Sequence, residues 1–104
     1  MAEVRFVIYS EGCWIGPHLD RPDKRLTQIV YLQHPQDRLV GGDLLILGSD
    51  KMDDVVRSVP PRPNMSVVLL PSSQSWHAVS MLESASNAPR RCVLVHFSEV
   101  NDER

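Results

Sequence analysis

Hydrophobic and polar residues alternate in short runs along this chain, and turn-forming residues interrupt the runs at spacings of about 8–12 residues. A period of two places neighbouring side chains on opposite faces of an extended strand, so each run predicts a partly buried β-strand. The longest run covers residues 25–33, and its two faces are distinct. One face carries Thr27, Ile29 and Tyr31, and the other carries Leu26, Gln28, Val30 and Leu32.

The whole pattern predicts about eight short strands and no helix, because the most helix-like segment, residues 49–59, is short and polar. The strands are expected at residues 4–9, 13–20, 25–33, 43–47, 55–59, 66–70, 75–80 and 90–97. Several short strands separated by turn signals are typical of an all-β sandwich or barrel. We therefore expect a single domain over residues 1–104, with residues 98–104 as a flexible charged tail.

Composition excludes several classes of function. The chain has 104 residues, 42% of them hydrophobic, and a formal net charge of −2, which is the profile of one ordinary globular domain. It lacks the basic stripe of a nucleic-acid-binding protein and any apolar run near the roughly 20 residues that cross a bilayer. Its two cysteines do not form a disulfide framework, so a cytoplasmic location is expected.

The chemistry-bearing motif is Gly16-Pro17-His18-Leu19-Asp20. If this segment is extended, His18 and Asp20 point to the same side, which supplies two of the three ligands of a 2-His-1-carboxylate iron site. The pair alone is a weak signal, since His-x-Asp is common. His77, on a later strand, is the natural third ligand, and Arg90 could grip a carboxylate with its planar guanidinium.

In this order and spacing, the motifs resemble the catalytic core of the Fe(II)- and 2-oxoglutarate-dependent oxygenases, in particular the prolyl-4-hydroxylase-like branch. The matching segments span most of the chain. They are residues 16–20, residues 24–32 (which end in Val-Tyr-Leu), Gly41-Gly42-Asp43-Leu44, Pro63-Asn64, residues 75–79 and Arg90-x-Cys92. The resemblance implies a double-stranded β-helix, the jelly-roll or cupin-like fold. It also implies a dioxygenase that hydroxylates an unactivated C–H bond and releases succinate and CO2.

Carried over residue by residue, the resemblance makes His18, Asp20 and His77 both the catalytic and the iron-binding residues. Arg90, Tyr31, Leu44 and Tyr9 would contact 2-oxoglutarate, and His96, Cys92 and Trp76 would surround this site. Val67, Leu69, Trp76 and Leu94 are candidate wall residues of the cavity. The implied cofactors are Fe(II), 2-oxoglutarate and O2, with ascorbate as an optional addition. The substrate, a peptide or a small molecule, stays open.

Several alternatives stay open at this stage. Arg91 competes with Arg90 for 2-oxoglutarate, although strand parity favours Arg90 because it shares a face with Cys92 and His96. Tyr31 and His96 could be plain core residues. Relatives carry bracing helices before the first strand that are apparently absent from this chain. That difference favours, as an alternative function, an interaction domain that associates through an exposed sheet face, as a homo-oligomer would. A non-catalytic jelly-roll binding module is a separate alternative.

Overall fold

The computed structural model describes residues 1–99, so the tail predicted for residues 98–104 lies almost wholly outside the described residues. Eight strands are present, and they account for all the regular secondary structure of residues 1–99. They are β1 (Ala2–Tyr9), β2 (Ile15–His18), β3 (Lys24–Tyr31), β4 (Leu44–Leu47), β5 (Val55–Val59), β6 (Ser66–Leu69), β7 (His77–Val79) and β8 (Arg90–Ser98). Within this part of the chain, no helix is long and apolar enough to cross a membrane.

The strands form two four-stranded antiparallel sheets, ordered β1-β8-β3-β6 and β2-β7-β4-β5. This arrangement confirms the predicted all-β jelly roll. The largest difference in bounds is at β2, which was expected to continue through Asp20 but ends at His18. Residues 21–24 form a turn closed by a hydrogen bond from Lys24 N to Arg21 O (3.1 Å), and Pro22 has no N–H to donate to a neighbouring strand.

Strand alternation gives β3 one buried and one partly buried face, divided along the two faces that the sequence predicts. Thr27, Ile29 and Tyr31 of β3 are buried, whereas Gln28 and Val30 between them are only partly buried. Ile29 and Tyr31 pack with Leu44 of β4 and Cys92 of β8, which joins the two sheets across the core. A smaller cluster of Leu45, Leu47 and Ala78 lies within the second sheet.

The opposite face of the first sheet is apolar and exposed. Val4, Phe6 and Ile8 on β1 are 58%, 78% and 67% exposed. Val4 and Phe6 lie opposite Val95 and Val93 of β8, so the apolar surface continues across both strands. Since an exposed apolar patch of this kind often marks an interaction surface, this face is the feature that favours self-association.

The Gly41–Gly42 pair allows the loop before β4 to approach the loop after β7 closely. Both glycines have positive φ angles, 78° and 70°, which L-residues with side chains rarely adopt. A Cβ atom on Gly41 would lie 2.0 Å from the carbonyl oxygen of Met81. Gly42 N donates to Ser80 O at 3.1 Å, and the Gly42 carbonyl receives a hydrogen bond from Arg90. The pair therefore positions backbone atoms beside a buried arginine.

We expect Gly41→Ala to lower the free energy of unfolding by about 2–5 kcal/mol, combining a positive φ with a backbone clash. Gly12 is a matched control, because it also has a positive φ (86°) but nothing lies within 4 Å of its added Cβ. Gly12→Ala should therefore cost only about 1–2 kcal/mol. Urea denaturation of both variants measures the difference, and equal losses would contradict the predicted clash.

Candidate active site

A cavity of about 280 Å³ lies between the two sheets and collects most of the predicted site residues. Its walls include His18, Asp20, His77, Tyr9, Leu44, Arg90, Cys92 and His96. These residues come from β1, β2, β4, β7 and β8 and from the loop after β2. The fold thus brings together side chains that are as much as 87 positions apart along the sequence, as those of Tyr9 and His96 are (96 − 9).

The two histidines and the aspartate meet at one end of this cavity. His18 ends β2 and lies directly opposite His77, the first residue of β7, with the ring centroids 4.2 Å apart. Asp20 follows in the loop, and its Oδ1 is 3.7 Å from Nε2 of His77. One potential ligand atom from each of the three residues lies within 4.8 Å of the other two. The spatial cluster exists although Asp20 lies outside the strand on which it was predicted.

Backbone hydrogen bonds determine which nitrogen of each imidazole is available. Nδ1 of His18 donates to the carbonyl oxygen of Gly16 at 3.0 Å, and Nδ1 of His77 donates to that of Ser75 at 2.9 Å. A carbonyl oxygen only accepts, so Nδ1 carries the proton in both rings and Nε2 of the neutral ring keeps a free lone pair. In both cases the ring bonds to the carbonyl two residues earlier in the chain, and this hydrogen bond orients the ring for metal ligation through Nε2.

Burial keeps His77 in the form that can bind a metal. The side chains of His77 and Asp20 are each only 9% exposed. Desolvation lowers the pKa of His77 from its ordinary value, and the neighbouring His18 lowers it further, while the Ser75 carbonyl and Asp20 act in the opposite direction. The contact between His77 and Asp20 is therefore one between a neutral imidazole and a carboxylate, rather than a salt bridge.

Arg90 is a buried cation that lines the same cavity. It is 2% exposed; its Nε donates to Gly42 O at 2.7 Å and its Nη1 to the sulfur of Cys92 at 3.5 Å. Its guanidinium carbon lies 5.2 Å from the ring centroid of Tyr9 and 5.3 Å from that of Tyr31. Within residues 1–99, no carboxylate forms a salt bridge with Arg90. A buried guanidinium without an anion is costly, so the arrangement is suited to an anionic ligand.

Neutral groups surround this guanidinium. Burial raises the pKa of Tyr9, Tyr31 and Cys92, so both phenols and the thiol keep their protons at neutral pH. The hydroxyl of Tyr31 is the one buried side-chain oxygen or nitrogen of residues 1–99 that has no hydrogen-bond partner. A hydroxyl without a partner beside a guanidinium without a carboxylate is an arrangement suited to a ligand with oxygen acceptors.

A sequence comparison with protein families agrees with this geometry. The sequence model of the 2OG-Fe(II) oxygenase superfamily matches residues 4–98. The chain belongs to this superfamily. A search of curated proteins finds no match to this chain.

The fold of this chain is similar to those of two solved oxygenase structures. A prolyl-4-hydroxylase from Pseudomonas putida is 28% identical to this chain with a TM-score of 0.70, and the match covers 96% of this chain and 52% of that one. A 2OG-Fe(II) oxygenase-family oxidoreductase from Burkholderia pseudomallei is 16% identical with a TM-score of 0.66, and the match covers 96% of this chain and 44% of that one. The second match supports the fold alone. This chain thus spans about half the length of these solved relatives.

The residues of this chain fit the cofactors that its superfamily uses. Two imidazole nitrogens and one carboxylate are the donor set of a facial iron site. The Arg90 guanidinium, which has no carboxylate partner within residues 1–99, and the Tyr31 hydroxyl match the terminal carboxylate of 2-oxoglutarate, because a guanidinium and a carboxylate form paired hydrogen bonds. The fit therefore rests on polar groups of this chain itself.

Arg90 lines the cavity and Arg91 does not, as the alternation of side chains along the last strand predicts. Arg91 lies on the other face of β8, where its Nη1 pairs with Asp37 at 3.2 Å. Of the candidate wall residues, Leu69 and Leu94 line the cavity, whereas Val67 and Trp76 do not. Tyr31 is likewise not a lining residue; it belongs, with Val67 packed against it, to the core cluster that includes the cavity residues Leu44 and Cys92. Trp76 precedes His77, so alternation turns it away from the cavity and against the cluster of Leu45, Leu47 and Ala78.

Sequence reasoning missed three polar cavity residues, Arg21, Lys24 and Thr27, of which Thr27 is the buried one. It lines the cavity and lies directly opposite His96 in the pairing of β3 with β8. The sequence pattern that could have identified Thr27 is its spacing, because it lies two residues before Ile29 and four before Tyr31 and therefore shares their face of β3. A hydroxyl on a buried face needs a partner, and that partner could not be identified without the strand register.

Proposed function

We propose that this chain is a 2-oxoglutarate- and Fe(II)-dependent dioxygenase that hydroxylates an unactivated C–H bond. In this proposal His18, Asp20 and His77 hold the iron, and Arg90 binds the distal carboxylate of 2-oxoglutarate. Tyr31, Tyr9 and Leu44 complete the cosubstrate pocket, and Cys92 and His96 support it. The observation that carries the proposal is that the His-Asp-His cluster and a buried, unpaired arginine line the same cavity.

Iron and 2-oxoglutarate, when bound, supply O2 activation coupled to decarboxylation, which gives succinate and CO2. The protein contributes orientation and exclusion of water. The backbone hydrogen bonds of His18 and His77 keep Nε2 of each ring directed at the metal position. Arg90 fixes one end of the cosubstrate through a rigid fork, and the apolar wall around Leu44 keeps that end dry.

A peptidyl proline is the substrate class that we favour. The Pseudomonas putida relative, at 28% identity, is described as a prolyl-4-hydroxylase. A second groove of about 450 Å³ adjoins the metal-site end of the cavity and shares Leu19, Asp20 and Lys24 with it. Its remaining walls include Pro22, Pro71 and Ser72, so an extended peptide could lie there with one residue directed at the metal position.

An anaerobic titration tests the proposal directly. With Fe(II) and 2-oxoglutarate together, we expect a weak visible absorption band from charge transfer between metal and cosubstrate, and either component alone should give none. Zn(II) in place of Fe(II) is the control, because it cannot give this transition. Admission of O2 should then produce succinate, measured by mass spectrometry. Saturating Fe(II) and 2-oxoglutarate without a band would overturn the proposal.

A second candidate function is a non-catalytic module that associates with another copy of itself. It is favoured by the exposed apolar face around Val4, Phe6 and Ile8. The same titration separates the two candidates, since such a module has no need of the metal and cosubstrate site. We further propose that residues 1–104 form one domain. A cytoplasmic location is proposed from the free thiols of Cys13 and Cys92.

A further inference from the structure

Thr27 links the proposed iron ligand Asp20 to His96. Its Oγ1 lies 3.2 Å from Oδ2 of Asp20 and 2.9 Å from Nδ1 of His96. Thr27 is 3% exposed and His96 7% exposed, so bulk water does not compete for these hydrogen bonds. The two residues are directly opposite on β3 and β8, a pairing set by the sheet register rather than by a mobile loop.

The chemistry of the three groups determines the direction of both hydrogen bonds. An ionised carboxylate only accepts, so the single hydroxyl proton of Thr27 goes to Oδ2 of Asp20. Oγ1 of Thr27 must then accept, and Nδ1 of His96 must donate to it. The chain of donors therefore runs from His96 through Thr27 to Asp20, and it has one arrangement of protons.

Asp20 needs such support because it lies in the loop after β2 and is outside the strand ladder. A carboxylate on a loop could turn about its terminal bond and present either oxygen, or both, to a metal. The hydroxyl of Thr27 engages Oδ2, whereas Oδ1 is the oxygen that lies 3.7 Å from Nε2 of His77. The hydrogen bond therefore selects which oxygen faces the other two ligands.

We propose that Thr27, held in place by His96, is a positioning residue that turns Oδ1 of Asp20 toward the metal position and keeps Oδ2 out of it. This inference rests on the proposed function. A carboxylate that binds through one oxygen leaves three coordination positions open, which 2-oxoglutarate and O2 require. Groups that orient a metal ligand in this way typically contribute 10–100-fold to metal affinity.

Co(II), which can occupy Fe(II) sites and has visible d–d bands sensitive to coordination number, is the probe. Thr27→Val keeps the shape of the side chain and removes the hydroxyl. We expect it to weaken Co(II) binding by about 10–100-fold and to alter the d–d spectrum. Thr27→Ser retains the hydroxyl, so its Co(II) affinity should lie within about threefold of wild type and its d–d spectrum should match that of wild type. If Thr27 had a purely packing role, the Co(II) spectrum would be unchanged in all variants.

His96 provides an independent pair of variants should Thr27→Val fail to fold. His96→Asn keeps an N–H donor close to the Nδ1 position, and His96→Phe removes it. We expect weaker Co(II) binding for His96→Phe, partly recovered in His96→Asn. If both Thr27→Val and His96→Phe kept the wild-type Co(II) affinity and d–d spectrum, the positioning role would be overturned and the proposed function would stand. A wild-type chain that does not bind Co(II) would overturn the proposed function, and this inference would fall with it.

Discussion

Asp20→Ala is expected to abolish turnover, lowering succinate formation by more than about 10³-fold, or about 4 kcal/mol of transition-state stabilisation. The substitution leaves two neutral imidazoles and no negative charge to balance a divalent cation in a buried site. Iron would then dissociate, so the loss should appear in Fe(II) binding as well as in turnover. Both are measured by anaerobic Fe(II) titration followed by mass spectrometry of succinate.

Asp23→Ala is the matched control for that prediction. Asp23 lies in the same loop, but its side chain is 58% exposed and pairs with Arg21 at 3.5 Å on the surface. Its removal changes net charge by the same amount, and Asp23 itself does not line the cavity although its exposed partner Arg21 does, so turnover should stay within about twofold of wild type, as expected for a surface position. Substantial turnover in Asp20→Ala would remove this carboxylate from the proposed iron site.

The strands and their faces could be predicted from sequence because they depend on local alternation. β3 and β8 are long and have one buried face each, so a shift by one residue would expose Ile29 and bury Val30. The same alternation along β8 puts Arg90, and not Arg91, on the face with Cys92 and His96. Secondary structure and side-chain orientation in this chain are thus determined largely by local sequence.

The contacts between distant segments could not be predicted in this way. The pairing of Thr27 with His96 joins residues 69 positions apart, and it follows from the register of β3 against β8. The end of β2 at His18 depends on the following turn, and sequence alternation alone extended the strand to Asp20. Whether the candidate wall residue Trp76 faces the cavity likewise depends on the arrangement of the sheets, and in the fold it packs against Leu45, Leu47 and Ala78.

Arg90→Lys is expected to raise the apparent KM for 2-oxoglutarate by about 10–100-fold, equivalent to the roughly 1.5–3 kcal/mol of a hydrogen bond to a charged group. Lysine keeps the positive charge but cannot donate to Gly42 O and to a carboxylate in the same fork geometry. Saturating 2-oxoglutarate should therefore recover much of the turnover, which separates this variant from Asp20→Ala. Succinate formation against 2-oxoglutarate concentration measures the effect.

Arg91→Lys is the control one position away. Its side chain lies on the other face of β8 and pairs with Asp37, a contact that lysine can keep in part because the Arg91 side chain is 36% exposed. We expect an unchanged KM for 2-oxoglutarate in this variant. The reverse pattern, a raised KM in Arg91→Lys and a normal one in Arg90→Lys, would place the cosubstrate on the other face of the sheet. It would also leave the buried guanidinium and the unpaired Tyr31 hydroxyl to be explained by a different anion.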